Sequence, residues 1–313
     1  MKAAIVQYPP VFLDLERTLE HAVRHIEEAA GLGASLVVFP EAWFPGYPVW
    51  IQRTRPEGEE DVVHALIARL QDNAVDLASD GLAPVRRAAR EHGVVVVAAH
   101  QEVDRARSGT IFNSVAIIDA DGTILNNHRK VMPTFPERMV WGFGDASTIR
   151  VVETAVGRVG ALLCWENLMP LARYALYAQM PEIYVAPTAD EGDGWHATLQ
   201  HIARESCAYV LGGSTSWQLR DLPDDLPFRD RLMGDEGEEE WISPGDAVVY
   251  EPFGPAIAGP MHQGRGLLVA DLDLAKCRLP RVWFDVTGHY SRPDLFQLQV
   301  DTTPQSPVRF GTG

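Results

Sequence analysis

The chain has 313 residues, 46% of them hydrophobic and 22% charged, which sustains a packed core and excludes wholesale disorder. Its 27 basic side chains against 43 acidic ones leave a formal charge of -16 at pH 7, a balance that repels phosphate backbones and anionic lipid surfaces and favours a neutral or weakly charged small molecule as partner. The longest apolar run, residues 94–99, falls far short of the ~18 residues of a membrane helix, residues 1–10 do not read as a signal peptide, and three cysteines without a CxxC pair (Cys164, Cys207 and Cys277) point to a reducing cytoplasm and not to a disulfide framework.

Strands alternate with helices along the chain. Residues 3–7 read as a strand. Leu19, Ala22, Val23, Ile26 and Ala30 fall at helical spacing, which predicts an amphipathic helix over 15–30, stopped by Gly31 and Gly33. Residues 35–39 form a second apolar strand that ends at Pro40. Helices are predicted over 61–77 and 83–91, a β-branched strand over 94–100, and a hairpin from 113–119 and 123–127 around an Ala-Asp-Gly turn. A strand over 158–163 runs into Cys164. Helix 168–179, strand 182–186, helix 194–208 and strand 210–215 follow, and strands at 246–250, 256–258 and 267–271 close a β-rich C-terminal part. The alternation is α/β, and hairpins within it make the sheets mixed. The acidic segment 221–240 reads as a solvated loop, with a contact surface between subunits as the other reading.

Cys164 leaves a buried-looking strand and precedes a helix. Such an elbow sets a side chain beside free backbone N–H groups and the positive end of a helix dipole, which favours thiolate and can bind an oxyanion. The alternative is a small buried hydrophobe, the reading kept for Cys207 and Cys277. Glu41 lies between Pro40 and a run of aromatics and prolines; apolar surroundings would raise its pKa and suit it to base work. An exposed loop glutamate is the other reading. Lys130 sits in His-Arg-Lys, either a solvated turn or the edge of a pocket formed by the aromatic, Pro- and Gly-rich loop 134–145. Glu137 in that loop either orients Lys130 or pairs with Arg138 at the surface. No histidine stands out as a base for the cysteine: His196 and His201 share a predicted helix without sharing a face. No HExxH, phosphate loop or GxGxxG is present, so neither metal nor nucleotide chemistry is indicated.

Three motifs, Phe-Pro-Glu-Ala-Trp-Phe-Pro-Gly-Tyr-Pro over 39–48, His-Arg-Lys over 128–130 and Cys-Trp-Glu-Asn over 164–167, together resemble the nitrilase branch of the carbon–nitrogen hydrolase superfamily. The likeness continues through 133–145, Ala-Pro-Thr-Ala-Asp at 186–190 and Gly-His-Tyr-Ser-Arg-Pro-Asp at 288–294, spanning nearly the whole chain in order. The resemblance implies a triad of Glu41, Lys130 and Cys164, with Glu137 as a second glutamate beside the lysine. It implies one four-layer α-β-β-α sandwich domain over 1–313, with a C-terminal tail from about 285, and no cofactor. It implies a homodimer or larger homo-oligomer, although the chain ends soon after Phe310, which argues against long spirals. Amidase relatives commonly read Cys-Tyr-Asp after the nucleophile, whereas Trp165-Glu166 resembles true nitrilases. The implied reaction takes a nitrile to its acid and ammonia through a thioimidate and an acyl-enzyme. An amidase, a cyanide-degrading member and a silent structural homologue are the alternatives. Tyr47, Phe135, Trp141 and Trp165, with Trp43, supply aromatic surface suited to aryl or arylaliphatic nitriles, and Pro187 and Thr188 are expected at the same edge.

Overall fold

The structure is a computed structural model, which describes residues 1–55, 57–105, 109–235, 237–306 and 308. Apolar and β-branched runs become strands in two groups. The first half gives β1 (Lys2–Gln7), β2 (Ala34–Phe44), β3 (Val95–Val103), β4 (Ile111–Ile118) and β5 (Ile124–Arg129). The second gives β6 (Val151–Thr154), β7 (Gly157–Ala161), β8 (Ile183–Thr188), β9 (Tyr209–Ser214), β10 (Ser216–Gln218), β11 (Trp241–Tyr250) and β12 (Ala256–His262). A last strand, β13 (Gly266–Asp271), returns to pair antiparallel with β1, so one sheet runs β13-β1-β2-β3-β4-β5. The other runs β10-β11-β9-β8-β7-β6, with β12 on β11. Central pairs are parallel and outer pairs antiparallel, so both sheets are mixed.

Parallel neighbours need crossovers, and amphipathic helices supply most of them. The first half carries α1 (Leu15–Gly31), α2 (Trp50–Arg53), α3 (Glu60–Asn73) and α4 (Ala83–His92); the second carries α5 (Pro170–Tyr177), α6 (Gly192–Ser206), α7 (Arg229–Met233) and α8 (Arg278–Trp283). The Asp14 side chain caps α1 by accepting from Arg17 N, and α4 stops where Gly93 turns left-handed at φ 63°. α1 and α4 cover the outer face of the first sheet over Ala4, Val37, Val96 and Ile118. α5 and α6 cover the second over Leu162, Tyr184, Val210 and Val248. Alternate strand residues, among them Ile5, Val38, Val97, Val185, Leu211 and Val249, face the opposite way and pack sheet on sheet. Each such side chain contributes roughly 1.5–3 kcal/mol of burial. The result is the four-layer α-β-β-α sandwich. Among the described residues no helix is long and apolar enough to cross a membrane.

Several elements differ from the sequence reading. β2 continues past Pro40 to Phe44. Its register with β3 breaks after Phe39↔Ala98 and resumes at Phe44↔His100, and Ala42 sits at φ 49°. A proline without an N–H is tolerated at such a bulge. α3 stops at Asn73 because Ala74 turns extended and Val75 bridges to Glu102. The helix expected over 168–179 is the shorter α5, which Pro170 opens, and a 3₁₀ segment, Cys164–Leu168, precedes it. The acidic segment 221–240 is not a plain solvated loop. Leu222, Leu226 and Leu232 are buried in a third apolar cluster with Phe12, Trp50, Leu66 and Trp217, and α7 lies within it. Its acidic side chains remain outside, where Glu238 and Glu239 meet Arg229 and Arg220; Glu236 lies outside the described residues. After α8, the described residues of the tail form turns and exposed coil.

Candidate active site

The sandwich brings one end of β2 and β5, from the first sheet, against the ends of β7 and β8 from the second. Glu41 projects from the bulge in β2. Lys130 follows β5 directly, its backbone N–H donating to Asn113 O at 2.8 Å and its carbonyl accepting from Gly144 N at 2.9 Å. Cys164 turns the chain out of the second sheet at φ 49°. None of the three is more than 5% exposed.

Lys130 Nζ is the hub. It donates to Glu41 Oε1 at 2.9 Å and to Glu137 Oε2 at 2.7 Å. Glu41 is held on its other sides: Oε1 also accepts from Asn113 Nδ2 at 2.7 Å, and Oε2 from Ala189 N at 2.8 Å. Glu137 Oε2 accepts from Thr134 N at 2.6 Å, and Oε1 from the Tyr47 hydroxyl at 2.8 Å. A carboxylate oxygen of each glutamate and Cys164 Sγ lie within 4.8 Å of one another. A metal ion could bridge atoms so spaced, but the cation that the geometry sets there is the Lys130 ammonium.

Burial dominates the electrostatics. It raises the Glu41 pKa, the Lys130 ammonium opposes that rise and the Glu137 carboxylate adds to it. Burial alone would lower the Lys130 pKa, but Glu41, Cys164 and Glu137 outweigh it and hold the ammonium charged. Burial also pushes the Cys164 thiol up, with Glu41 adding to the push and Lys130 opposing it. The elbow therefore does not favour thiolate in the resting site, contrary to the sequence reading. The segment after Cys164 is a short 3₁₀ stretch of five residues, and the apolar surroundings and the neighbouring carboxylates raise the thiol's pKa. A protonated thiol beside a carboxylate of raised pKa is a nucleophile paired with its base.

The profile of the carbon–nitrogen hydrolase family matches residues 2–281. The chain belongs to that family. It is 39% identical over 322 residues to the bifunctional nitrilase/nitrile hydratase NIT4A of Lupinus angustifolius, covering 99% of this chain and 88% of that protein. It is 38% identical to an aliphatic nitrilase of Sinorhizobium fredii (98% and 97% covered) and 38% identical to nitrilase 3 of Arabidopsis thaliana (100% and 90%). These relatives put this carbon–nitrogen hydrolase in the nitrilase branch. In fold it is similar to a carbon–nitrogen hydrolase from Helicobacter pylori G27, with a TM-score of 0.71 at 19% identity, covering 94% of this chain and 96% of that one.

In this hydrolase a third buried carboxylate ties two motifs together. Glu166 Oε1 accepts from Val131 N at 2.6 Å and Oε2 from Leu163 N at 2.8 Å, the residues next to Lys130 and Cys164. His128 Nε2 meets both oxygens, at 3.1 and 3.2 Å. His128 and its neighbouring hydrogen bonds offset the cost of burying Glu166 and hold its pKa down. Asn167 closes the turn by donating to the carbonyls of Leu162 and Cys164 at 3.0 and 2.8 Å. Sequence reasoning assigned no role to Glu166, His128, Asn167 or Asn113. The first three lay inside quoted motifs; Asn113 sat unmarked in a strand.

A cavity of about 700 Å³ opens over Cys164. Of the residues expected around it, Trp43, Tyr47, Phe135, Trp165 and Thr188 line the cavity. Phe135 is 79% exposed and Trp165 46% exposed at the rim, where the Trp165 indole N–H donates to Asp190 Oδ2 at 2.7 Å. Trp141 and Pro187 are not on the cavity wall. Trp141 is buried, donates from Nε1 to Gln101 Oε1 at 2.9 Å and packs edge-on beneath Tyr47. Pro187 lies within β8, where side chains alternate between faces and Thr188 takes the site side. Trp43 reaches the wall from below, fully buried and packed on Phe39 and Phe44. Ile51, Gln52, Trp217 and Ser243 complete the wall from distant segments that carried no local signal.

Proposed function

We propose that the enzyme is a nitrilase that converts an organic nitrile to its carboxylic acid and ammonia, with Cys164 as nucleophile, Glu41 as base, Lys130 as electrophilic partner and Glu137 as the residue that orients Lys130. The observation that carries the reading is one buried ammonium bridging two carboxylates beside a buried thiol, at the floor of an aromatic-rimmed cavity. Its 38–39% identical relatives named as nitrilases support it.

In this reading Glu41 takes the Cys164 proton as sulfur attacks the nitrile carbon. The C–S bond forms, and charge moves to nitrogen, where Lys130 and the backbone N–H of Trp165 stabilise it. Protonation of that nitrogen gives a thioimidate. Water, activated by Glu41, adds to its carbon, and a proton returned to nitrogen lets ammonia leave, giving a thioester. A second water displaces Cys164 and releases the acid. If the C–S bond breaks before the C–N bond, the amide leaves instead. That branch fits the bifunctional nitrilase/nitrile hydratase named among the relatives.

Tyr47, Phe135 and Trp165 favour an aryl or arylaliphatic nitrile; the aliphatic nitrilase among the relatives names the competing class. We further propose a single domain with a tail, a cytoplasmic location, and a homodimer or larger homo-oligomer. The exposed apolar side chains of Leu171, Leu279, Val282 and Trp283 support the last. The test is ammonia release from benzonitrile, phenylacetonitrile, an aliphatic nitrile and cyanide, beside the matching amides, with acid and amide quantified. Release from an aryl or arylaliphatic nitrile is expected. Release from amides but not nitriles makes the enzyme an amidase and overturns the reading; cyanide as the sole substrate narrows it to cyanide degradation.

A further inference from the structure

β8 ends in three consecutive residues that each hold a different part of the site. Thr188 Oγ1 lies 3.3 Å from Cys164 Sγ, Ala189 N donates to Glu41 Oε2 at 2.8 Å, and Asp190 Oδ2 accepts from the Trp165 indole at 2.7 Å. The Thr188 hydroxyl has one proton and two lone pairs. Its oxygen already accepts from Asp190 N at 2.8 Å. That bond turns a lone pair toward Asp190, so the proton is free for the sulfur. Thr188 is 1% exposed and Cys164 5% exposed, so the contact lies at the floor of the cavity with little solvent-facing surface.

We propose that Thr188 is a further catalytic residue, donating its hydroxyl hydrogen bond to Cys164 Sγ and so stabilising negative charge on sulfur whenever the thiolate forms or departs. This rests on the reading of Cys164 as nucleophile. Thr188 exchanges no proton in the cycle. As Glu41 removes the thiol proton, the O–H···S contact becomes a bond to an anion, which is stronger than its neutral form. The same bond strengthens again when C–S cleavage returns the electron pair to sulfur. Lys130 lies on the carboxylate side of the site, bound to Glu41 and Glu137. Thr188 reaches the sulfur from the β8 side, so the two stabilise different atoms, nitrogen and sulfur. Its side chain is therefore engaged with the enzyme's own nucleophile, not with the substrate as sequence position alone suggests.

The experiment compares Thr188→Val, which keeps the shape and removes the donor, with Thr188→Ser, which keeps the hydroxyl and removes a methyl. The readouts are the rate at which iodoacetamide alkylates Cys164 between pH 6 and 9, located by mass spectrometry, and steady-state kcat and KM on an accepted nitrile. Thr188→Val is expected to slow alkylation and kcat by about tenfold or more, the range for losing a hydrogen bond to a charged group. KM should stay within about twofold, because the lost bond acts in the transition state and not on bound substrate. Thr188→Ser should recover most of both rates. Equal alkylation rates in wild type and Thr188→Val overturn the proposal, as does a Thr188→Ser enzyme as slow as Thr188→Val. Thr188→Ala is the second variant if Thr188→Val fails to fold by circular dichroism; failure of both reassigns the hydroxyl to holding the turn at Asp190 and overturns the catalytic role. Nitrile turnover that survives Cys164→Ala is the separate result that removes the nucleophile reading itself.

Discussion

Two cysteines in this molecule share almost every local property and differ in what faces them. Cys164 and Cys207 are both buried, both outside any disulfide and both at a left-handed φ, 49° and 52°. Burial raises both thiols, Cys207 to about 11. Yet Cys207 closes the C-terminus of α6, its sulfur aimed at the carbonyls of Phe284 and Arg204 at 3.3 and 3.7 Å. Cys164 faces a carboxylate, an ammonium and a hydroxyl at the floor of a cavity. Residue type, burial and backbone strain are therefore insufficient to make a nucleophile. In the proposed mechanism the difference lies in a buried carboxylate bonded to a buried ammonium and in a cavity of about 700 Å³ over Cys164, against a recess of about 10 Å³ beside Arg281 and Asp285 at Cys207.

The sharpest way to break this comparison is to delete each sulfur. Cys164→Ala should lose turnover entirely while unfolding at nearly the wild-type temperature; measurable nitrile hydrolysis by a folded Cys164→Ala enzyme removes Cys164 from the chemistry. Next in size is the base. Glu41→Gln should cost about 10²–10⁴ in kcat, the range for a general base. The pH profile supplies a signed check. With Glu41 as the proposed base, only its ionised form accepts the thiol proton, so activity is expected to fall as pH drops through its pKa. Burial places that acid limb above the usual carboxylate range, with Lys130 opposing and Glu137 adding to the rise. Removing the Glu137 charge in Glu137→Gln should therefore move the limb to lower pH while kcat drops, because Lys130 loses one of its two anchors. An unmoved limb with normal kcat denies Glu137 both effects.

The comparison is sharpened by the brace that Cys207 lacks. Both Glu166 oxygens accept backbone N–H groups, from Val131 and Leu163. Glu166→Gln must therefore turn its –NH₂ against one of those donors whichever way the amide lies. About 10²-fold in kcat is expected from the misplaced Lys130 or Cys164, together with roughly 1–3 kcal/mol of stability from leaving a buried backbone donor without its acceptor. Denaturant unfolding and steady-state kinetics on one preparation measure both, and a normal kcat with normal stability dismisses the brace.

How much of this was legible depends on the range of the signal. α1 follows from 3.6-residue spacing and a glycine stop, α4 from its helical pattern, and β1, β3 and β4 from apolar runs, because those patterns are local. The bulge that carries Glu41 was not legible, since Pro40 reads as a strand end and only pairing with β3 beyond it shows the chain continuing. The aromatic loop suggested Trp141 as a pocket wall, but its N–H found Gln101, and a buried indole goes where its hydrogen bond is satisfied. Trp217 and Ser243 reach the cavity only because β10 and β11 pair across a long connection. Glu166 and His128 were visible as motif letters. Their partnership spans 38 residues and is fixed by the meeting of two sheets.

The smallest expected effect is the converse of the largest. Cys207→Ala removes a buried sulfur that faces backbone carbonyls, with the charges of Arg281 and Asp285 nearby and a recess of only about 10 Å³ beside it. It should lower stability by roughly 0.5–3 kcal/mol, the usual range for a buried truncation. Nitrile turnover and the iodoacetamide rate at Cys164 should stay unchanged, because Cys207 caps the C-terminus of α6, at the end of that 15-residue helix opposite the Thr188–Asp190 turn that leads into it. Thermal unfolding measures the first and mass-resolved alkylation the second. If Cys207→Ala slowed alkylation of Cys164, the C-terminus of α6 and the nucleophile elbow would be mechanically coupled. The contrast drawn from each sulfur's neighbours would then give way to one in which β8 transmits strain between them.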